Sequence, residues 1–166
     1  LSMLRKMTKM NKSLLLLSKI ENDQFNNIEK INVNEVVKEK IELFKETFVQ
    51  KDITLIFEES GIFELNIDSI LCEMMINNLL KNAFTHNKEI GEIKIEISKD
   101  EIVISNSGKE TSLNEKLIFN YFYKESKEKN STGLGLVLIK TICKKHNLGI
   151  DYQFVEKKHR FIITKK

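Results

Sequence analysis

Several common features are scarce or missing in this sequence. None of its 166 residues is proline, and cysteine occurs only at Cys72 and Cys143. Both cysteines stand in apolar, helix-like stretches, which favours buried thiols in a reducing compartment over a disulfide framework. No apolar run approaches the roughly 20 residues that a bilayer-spanning helix needs, and no signal peptide opens the chain. The net charge of +3 does not by itself indicate nucleic acid.

The remaining composition is that of a globular domain. Hydrophobic residues make up 41% and charged residues 31% of the chain, so a buried core is expected. The length predicts one compact domain with an appendage. Because the chain starts at Leu1 and not at Met, we expect it to be a piece of a longer protein.

The N-terminal segment, from Leu1 to about Gln24, has the pattern of one helix with an apolar seam. The seam has a 4-3-4-3 spacing and consists of Met3, Met7, Met10, Leu14 and Leu17. Such a seam is typical of a bundle or coiled coil that seeks a partner helix. The alternative is a long helix that packs on its own domain.

The rest of the chain alternates strand and helix patterns. Strands are predicted near residues 31–33, 53–57, 93–97, 102–105, 150–155 and 161–164. Helices are predicted after the caps Asn34 and Asp68, the second ending near Phe84, and from Thr132 to about Lys145. Gly91 and the Lys99–Asp100 pair are expected in turns. This order predicts an α+β sandwich with helices covering one face of a sheet.

Two motifs have the chemistry of a phosphate and metal site. On the apolar helix around residues 77–87, Asn78, Asn82 and Thr85 fall on one face, where the neutral Asn82 oxygen could ligate Mg²⁺. At residues 131–136, Gly133 and Gly135 stand before a helix whose N-terminus favours phosphate. The alternatives are a solvated polar edge and an ordinary loop-to-helix junction.

Two further motifs are weaker. Asn106 ends a strand and offers donors and an acceptor to a purine edge, and Gly108 allows the backbone to turn. The alternative is a plain β-turn. Within the polar stretch of residues 107–131, an aromatic cluster at 118–124 indicates either a docking lid or a satellite apolar cluster. There Lys124 either reaches a phosphate or is a surface lysine.

In this order the four motifs resemble the N, G1, F and G2 boxes of the histidine kinase branch of the GHKL ATPases, over about residues 31–166. The resemblance implies the Bergerat ATP-binding fold, a two-layer α/β sandwich whose mixed sheet is covered by three helices, at residues 28–166. Residues 1–27 resemble the second helix of the dimerisation and phosphotransfer hairpin with its linker.

The resemblance also implies roles for single residues. Asn82 corresponds to the Mg²⁺ ligand, and Asn78 stands where hydrolytic relatives carry a glutamate base, so efficient hydrolysis is not expected. Phe119 matches the F box together with Phe122. The residues expected to contact ATP are Asn78, Asn82, His86, Asn106, Gly108, Phe122, Lys124, Thr132, Gly133, Leu134 and Gly135.

The boxes depart from the family pattern in places. The G1 pattern Asp-x-Gly-x-Gly is replaced by the sequence Asn106-Ser107-Gly108-Lys109-Glu110. An amide oxygen accepts a hydrogen bond from adenine more weakly than a carboxylate does. Ser131 replaces the first G2 glycine, and Thr85 stands where many kinases carry a basic residue.

The resemblance implies a protein-histidine kinase of a two-component system that uses ATP and Mg²⁺. Its acceptor histidine normally lies near a proline, so we expect it outside this chain; His146 and His159 are expected at the surface. Expected partners are its own dimerisation domain, a second protomer and a response regulator receiver domain, but no nucleic acid. The expected location is the cytoplasmic portion of a membrane-anchored sensor. Alternatives are a degenerate, nucleotide-free scaffold of the same fold and a serine-directed kinase of the same superfamily. A hydrolytic ATPase is disfavoured by Asn78.

Overall fold

A computed structural model describes residues 2–48, 52–124 and 132–166. The elements are, in chain order, α1 (Ser2–Glu21), β1 (Ile28–Asn32), α2 (Val33–Phe48), β2 (Asp52–Glu59), β3 (Glu64–Asp68), α3 (Ser69–Thr85), β4 (Ile90–Ile97), β5 (Glu101–Ser107), α4 (Gly135–Lys145), β6 (Leu148–Val155) and β7 (Lys158–Lys165). Within the described residues, no helix combines the length and the apolar character that crossing a bilayer requires.

The strands form two sheets. The main sheet has the order β2-β4-β5-β7-β6, in which β2 and β4 are parallel and the other neighbours are antiparallel. A smaller antiparallel pair joins β1 to β3. The prediction of an α+β sandwich with a mixed sheet is therefore confirmed, and so is the C-terminal hairpin.

The core lies between the main sheet and the helices α2, α3 and α4. Alternate residues of β4, Ile93, Ile95 and Ile97, are fully buried because successive side chains of a strand point to opposite faces. Helix α3 is the centre of this layer and packs against both α2 and α4. Its apolar surface continues almost around the helix, so only a narrow polar strip remains for other tasks.

Helix α1 divides into a packed end and an exposed end. Leu17 and Ile20 are buried where α1 meets α4, and Lys145 of α4 donates to the Ile20 carbonyl at 2.6 Å. Near the other end, Met3 is 75% exposed and Met7 is 55% exposed. The C-terminal part of the helix therefore packs on its own domain, while the apolar seam at its N-terminal part faces outwards.

Helix capping agrees with the prediction at one helix and differs at another. The Asp68 carboxylate accepts from the Ile70 amide at 3.0 Å and caps α3 as predicted. The predicted cap Asn34 is wrong, because Asn32 accepts from the Asn34 amide at 3.0 Å. The Asn34 side chain is buried instead, where its oxygen accepts from the Phe63 amide at 3.0 Å.

Other boundaries differ from the sequence predictions. Helix α1 ends at Glu21 and α4 begins at Gly135, three residues after the predicted start. Gly91 lies inside β4 and not in a turn, and β3 was not predicted. The short strand β3 is held in an extended conformation by its antiparallel pairing with β1.

Candidate nucleotide-binding site

The polar strip of α3 faces the beginning of α4. The Asn78 Oδ1 atom lies 3.1 Å, and the Asn82 Oδ1 atom 3.9 Å, from the point that a β-carbon on Gly135 would occupy. The Asn78 side-chain Nδ2 donates to the Met74 carbonyl at 2.8 Å, which fixes the direction of the side-chain oxygen. The structure thus brings together the asparagine motif of residues 77–87 and the glycine motif of residues 131–136.

The beginning of α4 has the properties of an anion-binding helix end. Leu134 occupies its N-cap position and provides no side-chain hydrogen bond, although the Leu134 carbonyl accepts from the Leu138 amide at 2.9 Å. The first amides of a helix have no partners within the helix and attract negative charge. This end of α4 lies beside the asparagine strip of α3, so both elements would face the same ligand.

The aromatic segment closes against Gly133. This glycine has φ +70°, and a β-carbon on it would stand 2.8 Å from the Phe122 carbonyl carbon. The Phe122 amide donates to the Gly133 carbonyl at 3.1 Å, while the Phe122 ring is 48% exposed. Phe122 itself has φ +62°. The aromatic segment of residues 118–124 is therefore held against the glycine motif of residues 131–136, with the exposed ring of Phe122 beside it.

Gly108 lies beside the C-terminal end of α3, two residues after Asn106. Asn106 is only 3% exposed, and its side-chain Nδ2 donates to the Ser107 carbonyl at 2.6 Å. A β-carbon on Gly108 would stand 3.0 Å from the carbonyl oxygen of His86, the residue that caps α3. The third motif thus packs on the C-terminal end of α3, where His86 follows Asn82 by one turn.

The remaining predicted contacts flank a gap in the described chain. Lys124 and Thr132 are both half-buried and stand on either side of residues 125–131, which lie outside the described residues and include Ser131. The ring of Phe119 is half-buried, and the Lys140 ammonium stands 6.0 Å from its centre.

Two residues near this site were not found from the sequence. His159 was predicted at the surface, but it is 5% exposed, and its Nδ1 atom lies 2.8 Å from the hydroxyl of the buried Tyr152. The surface prediction is wrong because His159 shares the core-facing side of β7 with Phe161 and Ile163. That alternation is visible in the sequence and was the available signal.

Ion pairs surround the position at which the family pattern has its second G1 glycine. Glu110 lies 2.9 Å from the Lys88 ammonium and 3.7 Å from that of Lys157. The hydrogen bond with Lys88, together with the charge of Lys157, lowers the pKa of the Glu110 carboxyl. The residue that departs from the pattern is thus tied to the end of α3 and to the β6–β7 turn.

The sequence matches a known protein family and curated relatives. Residues 67–166 match the family described as histidine kinase-, DNA gyrase B-, and HSP90-like ATPase. The chain is 34% identical over 145 residues to the heme sensor protein HssS of Staphylococcus aureus (strain Newman), a match that covers 84% of this chain and 32% of that protein.

Solved structures show the same fold. The catalytic domain of the histidine kinase ThkA matches with a TM-score of 0.73 and 25% identity, over 82% of this chain and 93% of that one. The histidine kinase AdeS of Acinetobacter baumannii, at 22% identity, matches with a TM-score of 0.77, over 98% of this chain and 79% of that one.

The fold and these matches define an ATP-binding catalytic domain of the histidine kinase type. The chain belongs to the family of histidine kinase-, DNA gyrase B-, and HSP90-like ATPases. It spans about a third of the length of the curated relatives that it matches.

Proposed function

We propose that this domain binds Mg·ATP between the polar strip of α3 and the beginning of α4, and passes the γ-phosphoryl group to a histidine outside residues 1–166. The observation that carries the proposal is the convergence of Asn78 and Asn82 on Gly135, at 3.1 Å and 3.9 Å from its β-carbon point. The neutral side-chain oxygens of α3 lie opposite the first backbone amides of α4, and this arrangement suits a metal-bound phosphate chain.

Asn82 is the residue that would hold Mg²⁺. Its carboxamide oxygen is neutral, so it can ligate a hard cation without repelling phosphates, and magnesium bound with phosphates needs only one or two protein ligands. When bound, the ion would neutralise charge on the phosphates. The amides at the beginning of α4, after Gly133, would hold the phosphate oxygens themselves.

The adenine would lie beside the C-terminal end of α3. Asn106 is buried, and its side-chain Nδ2 donates to the Ser107 carbonyl. This bond turns the side-chain oxygen of Asn106 away from that carbonyl. The oxygen is the atom that would accept from the adenine amino group. His86, at the end of α3, and the exposed ring of Phe122 would border the nucleotide, and Lys124 and Thr132 would approach the phosphates.

Asn78 supports transfer to a protein over hydrolysis. A carboxamide cannot take a proton from water, so this residue cannot serve as a general base. One hydrogen of its side-chain Nδ2 is already donated to the Met74 carbonyl. The domain would therefore hold ATP with little turnover until an acceptor side chain approaches.

The chain's own histidines are poorly suited as acceptors. His159 is buried and hydrogen-bonded through both ring nitrogens. His146 ends α4, where burial lowers the pKa of its imidazole, and its Nε2 atom is enclosed. His86 caps α3 beside the proposed nucleotide site. We therefore propose an acceptor on a dimerisation helix of the parent protein, with a receiver domain as the next partner and a cytoplasmic location.

The experiment is to measure thermal stability with and without Mg·ADP or a non-hydrolysable ATP analogue. A ligand at a hundred times its dissociation constant should add about 2.7 kcal/mol to the free energy of unfolding. The altered G1 sequence favours one second candidate, a nucleotide-free scaffold, which predicts no shift at millimolar nucleotide. Labelled ATP with the full-length parent, and separately with a candidate serine substrate, would then identify the acceptor.

A further inference from the structure

A buried hydrogen-bonded pair joins the sheet to the loop that follows β5. The Tyr152 hydroxyl on β6 lies 2.8 Å from His159 Nδ1 on β7, and both side chains are buried. The hydroxyl oxygen also accepts from the Leu113 amide at 3.0 Å. On the other side of the ring, His159 Nε2 lies 2.9 Å from the Lys109 carbonyl oxygen. The pair therefore holds both ends of residues 109–113.

The hydrogen positions follow from these partners. A carbonyl oxygen only accepts, so His159 Nε2 carries a hydrogen and donates it to Lys109. The Tyr152 oxygen accepts from Leu113, and in a neutral imidazole His159 Nδ1 accepts the hydrogen of the Tyr152 hydroxyl. Every polar atom of the pair is satisfied by one arrangement, which makes the arrangement rigid.

The loop held in this way borders the proposed adenine site. It begins directly after Asn106 and Gly108, and a β-carbon on Gly108 would stand 2.8 Å from His159 Cδ2 and 3.0 Å from the His86 carbonyl oxygen. The imidazole thus forms one wall of a slot that fits only glycine, and the end of α3 forms the other. Any shift of the ring would move the backbone next to Asn106.

We propose that Tyr152 and His159 are positioning residues that hold the loop of residues 108–113 in the geometry required for adenine nucleotide binding. This proposal rests on the proposed function. It explains how a chain without the second G1 glycine keeps a defined loop, since the backbone is fixed by two buried side chains and by the Glu110 ion pairs.

The test compares Tyr152→Phe with Ser105→Ala. The first variant removes only the hydroxyl and keeps the ring that packs at 5.2 Å on Phe161. The control removes another buried hydroxyl, that of Ser105, which donates to the Lys94 carbonyl at 3.2 Å. Ser105 precedes Asn106 on β5, and its side chain points to the opposite face of the sheet. Affinities for Mg·ADP and for tripolyphosphate are measured by calorimetry, and exchange of the Leu113 amide by NMR.

We expect Tyr152→Phe to weaken Mg·ADP binding about tenfold, in line with the loss of one or two buried hydrogen bonds. Tripolyphosphate, which lacks the adenine, should bind all three proteins equally. The Leu113 amide should exchange faster in Tyr152→Phe alone, and nitrogen shifts of His159 should show the Nε2–H form in the wild type. Ser105→Ala should bind Mg·ADP as the wild type does.

The outcomes separate the two proposals. If the wild type binds Mg·ADP and Tyr152→Phe binds it with the same dissociation constant, the positioning role is overturned and the proposed function stays intact. An equal loss of affinity in Ser105→Ala would also overturn it, because general destabilisation would then explain the effect. No binding by the wild type would overturn the proposed function and the positioning role together.

Discussion

The Asn78 carboxamide oxygen faces Gly135 across the junction of α3 and α4, at 3.1 Å from the position of a β-carbon on that glycine. This distance is shorter than a relaxed contact, so a methyl group there would push Asn78 aside. The glycine thus allows the close approach of two elements, and its place as the first residue of α4 puts that approach at the proposed phosphate site.

Gly135→Ala should therefore impair binding more than folding. Alanine is favoured over glycine in a helix by about 1 kcal/mol, which offsets part of an overpacking cost of about 1–3 kcal/mol. We expect a small change in the free energy of unfolding and about a tenfold weaker affinity for Mg·ADP. Urea unfolding and calorimetry measure the two quantities.

A double variant provides the control for this prediction. Asn78→Ala removes the side chain that Gly135→Ala would crowd, so the two substitutions should be coupled in stability by about 0.5–3 kcal/mol. Purely additive effects on the free energy of unfolding would show that the two residues do not press on each other.

Asn82→Asp tests the metal position. The substitution keeps the shape of the side chain but places a negative charge beside the phosphates, so we expect the magnesium dependence of ADP binding to change and the affinity to fall at least about tenfold, or about 1.4 kcal/mol. Asn77→Asp is the matched control, because it makes the same change on an exposed residue of the same helix. Equal affinities in the two variants would remove Asn82 from the metal site.

Asn106→Asp restores the residue type of the family pattern at a cost in stability. Asn106 donates to the Ser107 carbonyl from a position that is 3% exposed, and an aspartate carboxylate cannot donate. We expect the free energy of unfolding to fall by about 1–3 kcal/mol, while ADP binds more tightly through the stronger acceptor. Urea unfolding with and without ADP measures both effects, and weaker ADP binding would contradict the adenine assignment.

The two cysteines should be unreactive in the folded protein. Burial raises the pKa of both Cys72 and Cys143 to about 12, with the neighbouring Glu73 adding to the shift at Cys72. Because the thiolate is the reactive form, alkylation by iodoacetamide at pH 8 should be negligible until the chain unfolds. The count of modified thiols, with and without guanidinium, checks this. Modification of either residue in the folded state would contradict its burial.

Much of the fold was predictable because its signals are local. The alternation of Ile93, Ile95 and Ile97 predicts a half-buried strand, and Asp68 before an apolar stretch predicts a capped helix. The order of the four motifs predicted the ATPase family. The assigned site residues remain predictions, although the structure brings Asn78, Asn82 and Gly135 to one junction.

The failures concern side chains with distant partners. Asn34 has the residue type of a cap, but its side chain is hydrogen-bonded to Gly61 and Phe63 in the β2–β3 connection. Asn32 caps α2 instead. Gly91 has the residue type of a turn, but the pairing of β4 with β2 places it in a strand. In both cases a local propensity was overridden by tertiary contacts.

The sequence by itself determined the family and the type of every element except β3, because periodicity and motif order are properties of neighbouring residues. Only the tertiary structure decided that His159 is buried and linked to Tyr152. Its ring bonds Lys109, 50 residues away, and Tyr152 bonds Leu113, 39 residues away. Such contacts depend on the strand order β5-β7-β6 and its register, which arise from packing across the whole sheet.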